Sequence, residues 1–266
     1  MTCEEFVLRV QSQLKVPCRV FAVEETVSTN DDLKSLAASG GEAGTVLVAF
    51  RQRGGRGRLG RSFYSPDQTG LYLSVLLRPD EKPEDAVFLT PAAAVAAARA
   101  IRRVPGREVE IKWVNDLYYQ GKKVCGILTE AALTSTADRL EYAVCGIGIN
   151  LCPPKGGFPE ELSAIAGALC DTVDPHLPAD LAAAFLNELF AVLQAPREEL
   201  LEEYRSRSFL TGKQITSPTG AFEGVATVLG VDDQAGLVIQ REDGVRQTLH
   251  GGEVSVRLQN TENGRG

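Results

Sequence analysis

The stretch at residues 52–61, QRGGRGRLGR, decides which folds the chain can adopt. Within it, residues 55–60 read GRGRLG, a literal G-x-G-x-x-G, which is the fingerprint of a dinucleotide-binding turn. That fold needs a strand, the glycine turn, a helix and a parallel strand. Only RSFYSPDQTG separates the glycines from the next apolar run. Since Ser, Pro, Asp and Gly oppose a helix, and a parallel crossover needs roughly a dozen residues, the sequence argues against a Rossmann fold.

The arginine–glycine loop, residues 51–61, carries five arginines, at positions 51, 53, 56, 58 and 61. Like charges about 4 Å apart repel by roughly 1 kcal/mol in water, so such crowding is unfavourable unless an anion or solvent screens it. Glycines allow close approach of a ligand, and arginine forks match phosphate and carboxylate oxygens. A disordered RNA-binding tract is disfavoured, because the pattern occurs once, between two predicted strands, in a chain of net charge −7. The loop alone leaves two interpretations open, a folded anion site or a solvated basic loop.

Bulk composition predicts a globular protein. The chain has 266 residues, 44% of them hydrophobic, and we find no apolar run approaching the roughly 18 residues of a membrane span. The acidic start MTCEEF lacks the features of a secretory signal, and six cysteines without a C-x-x-C pair suggest free thiols. We therefore expect a cytoplasmic location. Two isolated histidines argue against a zinc site or a histidine-based triad.

Hydrophobic patterning and turn signals predict an α+β fold with two domains. The first, residues 1–208, has predicted strands at 21–26, 45–50, 70–77, 108–113 and 140–151, helices at 28–40, 90–103, 178–194 and 196–207, and a hairpin that turns at Gln120-Gly121. The second, residues 209–258, has only short predicted strands and resembles a small β-barrel. Residues 259–266 are expected to be a disordered tail.

Two further segments favour a folded site. The hairpin IKWVNDLYYQGKKVCGILTE, residues 111–130, places the charged Lys112 and Asp116 beside apolar strand ends. Asn115 and Asp116 could coordinate hydrated magnesium or could form a turn, and Lys123 alone could be a surface lysine. In GIGIN, residues 146–150, two glycines lie on a buried strand, which often marks close approach of a ligand.

Taken together, these residues resemble a biotin–protein ligase, also called holocarboxylase synthetase. The resemblance rests on STN (28–30), Q-x-x-GRGRLGR-x-F-x-SP (52–66), GLYLS (70–74), KWVNDL-x-x-x-x-K-x-x-GIL (112–128), GIGIN (146–150) and GGEVSVR (251–257). The chain departs from the usual family pattern at Leu59, Phe63 and Val114.

The resemblance implies a mixed β-sheet catalytic domain with flanking helices and an SH3-like C-terminal β-barrel. It also implies an ATP- and Mg²⁺-dependent enzyme that converts biotin to biotinyl-5′-AMP and transfers it to a lysine of a biotin carboxyl carrier domain. Only about 20 residues precede the first predicted strand, so we expect a ligase without a DNA-binding repressor domain and with no membrane partner. A bifunctional repressor and a lipoate–protein ligase are the alternatives, and the sequence leaves open whether the chain forms a homodimer.

Site residues follow from the same resemblance, motif by motif. It assigns catalysis to Lys123 and Arg58. It assigns biotin binding to Ser28, Thr29, Asn30, Gln52, Gly55, Arg56, Gly57, Arg58, Lys123, Gly126, Gly146 and Gly148. It assigns ATP binding to Arg56, Arg58, Arg61, Phe63, Asn115, Asp116, Lys123, Asn150 and Arg257. Asp116 is the one candidate ligand for a magnesium ion.

Overall fold

The structure is a computed structural model, and it describes residues 1–172, 174–251 and 256–258. The predicted tail at 259–266 lies outside the described residues. So do the first three residues of the last predicted strand, 253–255, and part of the GGEVSVR motif.

A seven-stranded mixed sheet forms the centre of the first domain. Its strands are β1 (Arg19–Thr26), β2 (Thr45–Gln52), β3 (Gly70–Leu77), β4 (Glu110–Lys112), β5 (Asp116–Tyr119), β6 (Lys122–Leu133) and β7 (Leu140–Asn150). Their spatial order is β1-β2-β3-β7-β6-β5-β4, and β1 pairs with β2 in parallel, whereas every other pair is antiparallel. The predicted fold class is therefore confirmed. β3 runs antiparallel to β2 directly after the arginine–glycine loop, so the loop does not open a Rossmann crossover.

Helices cover both faces of this sheet. They are α1 (Cys3–Gln11), α2 (Thr29–Ala38), α3 (Leu89–Arg103), α4 (Glu160–Ser163), α5 (Leu177–Gln194) and α6 (Arg197–Arg207). The alanine-rich α3 is almost wholly buried and packs against α5 and α6, because its small side chains allow close approach. On the other face, Leu33 and Ala37 of α2 pack on Leu76 and Val144 of the sheet.

The sequence prediction missed α1 and α4. The signal for α1 was present, since Thr2 and Glu5 form a reciprocal capping box at its start. α4 is a single turn inside a Pro- and Gly-rich segment, where helix propensity does not predict a helix.

Helix α5 is long enough and apolar enough to cross a membrane on length and composition alone, which contradicts the prediction of no such run. In the folded chain it packs against α1 and α3, with side chains such as Phe185 and Leu186 fully buried in the core. Packing inside a folded domain accounts for its apolar composition.

The C-terminal unit is a five-stranded antiparallel sheet. It comprises β8 (Gln214–Thr216), β9 (Ala226–Val231), β10 (Leu237–Arg241), β11 (Arg246–Leu249) and β12 (Arg257–Leu258), in the order β11-β10-β9-β8-β12. It is joined to the first domain at the turn between β4 and β5, where the Trp113 indole donates to the Ala235 carbonyl over 3.0 Å. Arg205 of α6 donates to the Val231 carbonyl over 2.7 Å. These bonds hold the second domain against the KWVND segment.

Candidate active site

A buried network of uncharged polar groups lies where α2 begins. Ser28 caps the helix by accepting from the Asp31 amide at 3.4 Å. The amide and the hydroxyl of Thr29 both donate to Oε1 of Gln52, over 2.9 and 3.1 Å. Gln52 in turn donates to Ser65 over 3.1 Å. Each group is fixed by its neighbours, so donors and acceptors are pre-oriented.

The network continues across the sheet through Ser74 of β3. Its hydroxyl lies 2.7 Å from the Thr29 hydroxyl and donates to Oδ1 of Asn30 over 2.6 Å. The Asn30 amide donates to the Leu128 carbonyl and to Glu130, over 3.1 and 2.9 Å. Sequence reasoning missed Ser74 because it stands inside the apolar run GLYLSVLL. The signal that could have found it is a lone hydroxyl on a fully buried strand, since buried polar groups need partners.

These groups form one wall of a narrow slot, and glycines form its floor. The slot is lined by Ser28, Thr29, Asn30, Gln52, Arg56, Phe63, Gly126, Leu128, Gly146, Ile147 and Gly148. A Cβ at Gly146 would come within 2.0 Å of Oδ1 of Asn30, and a Cβ at Gly148 within 2.4 Å of the Phe63 ring. Only glycine therefore fits at either floor position.

The Phe63 ring fills this slot. It lies over Gly126 and Gly148, and the cavity that remains beside it is about 30 Å³. A ring-sized ligand can therefore occupy the glycine floor only when the Phe63 ring moves. The sequence assigned Phe63 to ATP; the structure places it at the boundary, because it also lines the larger neighbouring cavity.

The arginine–glycine loop is an ordered small hairpin. The Phe63 amide donates to the Gly55 carbonyl over 2.8 Å, and the Gly57 amide to the Arg61 carbonyl over 2.7 Å. At its tip, Leu59 and Gly60 adopt positive φ angles of 57° and 71°, a conformation that costs little for glycine and more for leucine. Gly55 lies beneath the hairpin, where a Cβ would come within 2.4 Å of the Phe63 carbonyl oxygen.

Arg56 ties this loop to the first turn of α2. Its guanidinium donates to Asp31 over 2.5 Å and lies 3.7 Å from Glu130. Lys34 contacts the same two carboxylates at 2.9 and 2.7 Å. Burial alone would raise the pKa of Asp31, but the hydrogen bonds from Lys34 and Arg56 outweigh it and lower that pKa. We call this four-residue cluster the latch, because it closes the loop over the slot.

A larger cavity of about 470 Å³ adjoins the slot, between the loop, strands β4 to β6 and the C-terminal unit. Six basic side chains and a single carboxylate are among the described residues that line it. The basic ones are Arg56, Arg58, Arg61, Lys112, Lys123 and Arg257, and the carboxylate is Asp116. We call this space the cation cavity, because its excess of positive charge suits a polyanion.

Lys123 stands at the boundary between the slot and the cation cavity. Its ammonium lies 2.6 Å from Oδ1 of Asp116 and 5.9 Å from the centroid of the Phe63 ring. That buried oxygen is close enough for an ion pair but lacks an aligned hydrogen bond among the described residues. The neighbouring Lys122 points elsewhere and donates to the carbonyls of Ser163 and Ala164. The structure therefore brings Lys123, and not Lys122, into the site.

Arg58 connects three parts of the molecule. It donates to Oδ1 of Asn115 over 3.2 Å and to the carbonyl of Gly251 in the C-terminal unit. Asn115 is itself held by a 2.8 Å bond from its amide to the Ile127 carbonyl. Burial lowers the pKa of Arg58, yet a guanidinium stays charged at neutral pH. Arg58 is thus a fixed positive charge at the wall of the cation cavity.

The structure brings most of the predicted residues together. Arg56, Gly57, Arg58, Arg61, Phe63, Asn115, Asp116, Lys123, Gly126 and Arg257 line the cation cavity, whereas Ser28, Thr29, Asn30, Gln52, Gly146 and Gly148 line the slot. Asn150 belongs to neither lining among the described residues, because its amide is turned towards the Gly167 carbonyl, 2.9 Å away. Its role in ATP binding stays a prediction.

The site offers little to a metal ion by itself. Among the residues that the structure describes, no group of three His, Cys, Asp or Glu side chains could hold one. Asp116, with its buried Oδ1 lacking an aligned hydrogen bond, is the one carboxylate facing the cation cavity. That arrangement fits Mg²⁺, which takes one or two carboxylates and otherwise binds phosphates and water.

Comparison with known proteins gives concordant matches. A model of the biotin/lipoate A/B protein ligase family matches residues 22–150, and one of the biotin protein ligase C terminal domain matches residues 212–257. The bifunctional ligase/repressor BirA of Bacillus subtilis is 32% identical over 229 residues, covering 83% of this chain and 69% of that protein. The biotin–[acetyl-CoA-carboxylase] ligase of Mycobacterium tuberculosis is 33% identical over 227 residues, covering 82% and 81%. The solved biotin protein ligase from Aquifex aeolicus, in complex with biotin and ATP, superposes with a TM-score of 0.73 at 27% identity, covering 91% of this chain and 99% of that one.

Proposed function

The chain belongs to the biotin/lipoate A/B protein ligase family, as an ATP-dependent biotin ligase, and we propose that it joins biotin to a lysine of a biotin carboxyl carrier domain. The observation that carries this proposal is the contact between two unlike compartments. The slot, whose lining is uncharged apart from Arg56, meets the cation cavity at Lys123, whose side chain lies beside Gly126, a residue shared by both linings.

The slot suits the ureido ring of biotin. A neutral, amide-like ring needs hydroxyl and amide partners without net charge, and Ser28, Thr29, Asn30 and Gln52 supply them. The partners already hydrogen-bond to one another, so a ring that replaces Phe63 finds them in place. The vitamin's valeryl chain would then lead its carboxylate towards Lys123.

In the first half-reaction, a carboxylate oxygen of biotin attacks the α-phosphorus of ATP. A bond forms between that oxygen and the phosphorus, and the bond to the β-phosphate oxygen breaks, so pyrophosphate leaves with the electron pair. Two anions must approach each other, so the barrier is highest where their charges meet. Lys123 and Arg58 lie at that junction and stabilise the developing charge.

In the second half-reaction, a lysine amine of the carrier domain attacks the activated carbonyl carbon and AMP leaves. A mixed anhydride is rapidly lost to water if exposed. The latch of Arg56 with Asp31 and Glu130 would keep the loop closed over the intermediate until the acceptor arrives.

Magnesium is part of the proposal. Asp116 would hold it together with the phosphate oxygens, and the ion would supply charge neutralisation at the triphosphate. The contact between Lys123 and Asp116 would loosen as the nucleotide enters, which frees the ammonium for the reacting oxygens.

The test is to incubate the protein with biotin, ATP, Mg²⁺ and a carrier domain, and to weigh the carrier. The expected mass increase is that of one biotinyl group, and it should require ATP. Lipoate in place of biotin should give no increase, and modification by lipoate alone would overturn the assignment of the vitamin. Biotin binding without ATP–pyrophosphate exchange would show a vitamin-binding protein rather than a ligase.

The absence of a repressor function stays a prediction. A gel-shift measurement with the full chain, biotin and ATP tests it, because a biotin-dependent shift of a specific DNA would contradict it.

A further inference from the structure

Lys112 is a cation of the cavity to which no role has been assigned. It ends β4 and faces Asp116 directly across the β4–β5 pair, so the two side chains share one face of the hairpin. It lines the cation cavity, and its ammonium lies 5.7 Å from the centroid of the Tyr118 ring. Its side chain is therefore held in place within the site.

The ammonium of Lys112 differs from its neighbours in lacking an acceptor among the described residues. Arg56 is paired with Asp31, Arg58 with Asn115, and Lys123 takes the near oxygen of Asp116. Over residues 1–172, 174–251 and 256–258, no carboxylate lies within 4.0 Å of the Lys112 ammonium and no acceptor hydrogen-bonds to it. A half-buried cation without a partner is unfavourable unless a ligand supplies the anion.

The surroundings of Lys112 make its half-buried positive charge still less favourable. Burial is the main reason why the pKa of Lys112 is lowered, and repulsion from Lys123, Arg257 and Arg61 lowers it further, against the attraction of Asp116. An entering polyanion would offset the burial penalty and the repulsion together.

The position of Lys112 indicates which part of a nucleotide it meets. Displacement at phosphorus runs roughly in line, so the leaving group departs on the side opposite to the attacking oxygen. Biotin's carboxylate arrives from the slot, past Phe63 and Gly126. Lys123 lies against Gly126 and Phe63, which line both spaces, whereas Lys112 lies against Tyr118, which lines the cation cavity and not the slot.

We propose that Lys112 binds the β- and γ-phosphates of ATP and stabilises the departing pyrophosphate, as a catalytic residue of the first half-reaction only. This inference rests on the proposed function. In the reaction proposed above, Lys123 and Arg58 stabilise the charge at the oxygen–phosphorus bond that forms. Lys112 stabilises the charge on the group that leaves when the other bond breaks. The pyrophosphate leaves as an anion bound to the ammonium, and no proton transfer is required.

The experiment separates the two half-reactions in Lys112→Met. Methionine keeps an unbranched side chain of similar length against Tyr118 and removes only the charge. Biotin-dependent ATP–pyrophosphate exchange should fall by about 10- to 150-fold, the range expected for one hydrogen bond between charged groups. The KM for pyrophosphate in the reverse reaction should rise. Transfer to the carrier domain from supplied biotinyl-5′-AMP should be unchanged, because the pyrophosphate has already left.

Two further variants complete the design. Lys112→Arg keeps the charge and should restore part of the exchange activity, while Lys82→Met, at an exposed site outside both cavities, should behave as wild type. Equal losses in both half-reactions, or unchanged exchange, would overturn the role of Lys112. A wild-type protein without biotin-dependent exchange would overturn the proposed function instead.

Discussion

The slot and the cation cavity lie side by side, yet their charges are balanced in opposite ways. At the mouth of the slot, Arg56 and Lys34 face Asp31 and Glu130, so the cations are matched within the protein. Among the described residues that line the cation cavity, six side chains are basic, Arg56 included, and one is a carboxylate. The slot is complete without a ligand, whereas the cavity is electrostatically incomplete until a polyanion fills it. We therefore expect the vitamin to be recognised by shape and hydrogen bonds, and the nucleotide by charge.

Substitution of Lys123, at the boundary of the two spaces, should have the largest effect on activity. Lys123→Ala removes the cation at the junction of carboxylate and α-phosphate, so adenylate formation should fall by at least about 10²-fold, as for loss of one preorganised donor. Biotin binding should persist, because the slot does not depend on this ammonium. ATP–pyrophosphate exchange measures adenylate formation, and calorimetry measures biotin binding. Lys122→Ala is the matched control, and wild-type exchange in Lys123→Ala would refute the assignment.

Arg58→Ala should come next. The variant loses bonds to Asn115 and Gly251 and one charge at the cavity wall. Retention of biotinyl-5′-AMP should weaken by about 10- to 150-fold, equivalent to about 1.5–3 kcal/mol for a charged hydrogen bond. Affinity for biotin alone should change far less, and this contrast sharpens the distinction between the compartments. An unchanged calorimetric affinity for the adenylate would count against it.

Gly148→Ala should act on the slot alone. The added Cβ would lie 2.4 Å from the Phe63 ring, and overpacking of this kind costs about 1–3 kcal/mol. A vitamin ring that replaces Phe63 on this floor would meet the same Cβ, so the affinity for biotin should fall by roughly 5- to 150-fold, and Phe63→Leu in the same chain should leave that loss in place. Calorimetric titration with biotin, without nucleotide, is the measurement. Equal affinities of Gly148→Ala and wild type would show that biotin binds elsewhere.

Asp31→Asn in the latch should have the smallest effect. Partly exposed ion pairs contribute about 0.2–1 kcal/mol, so tryptic cleavage within residues 51–61 should rise by no more than about fivefold in the presence of biotin and ATP. Added salt should bring the wild type towards the variant, because exposed charges are screened. Glu42→Gln is the control, since Glu42 forms an exposed ion pair with Arg19 that involves no residue of the loop. A wild-type loop cleaved equally with and without ligands would contradict closure.

Local patterns predicted the elements well, and the site only in outline. β3 lies at the predicted residues 70–77, Ser28 caps α2, and the hairpin turns at Gln120-Gly121, because capping, alternation and turn chemistry are short-range. The convergence of the site residues depends instead on contacts between residues that are far apart in the sequence. The packing of α2 on β3 brings Asn30 into contact with Ser74, and no spacing in the sequence reveals it.

The remaining differences have the same origin. Lys112 was interpreted as a charged residue beside a strand end, because only the fold shows that its ammonium faces a cavity in which no described residue accepts from it. Asn150 was assigned to ATP on its motif, yet the backbone of residue 167 passes near enough to accept from its amide. The joining of the two domains through Trp113 and Ala235 depends on residues that are far apart in sequence.

In the ligand-free protein, the Phe63 ring occupies the place that we propose for the ring of biotin. With the ring resting on Gly126 and Gly148, the glycine floor is covered by protein in the absence of ligand. Arrival of biotin is then an exchange of one ring for another. Its rate should level off at high vitamin concentration, at the frequency with which the aromatic side chain swings out.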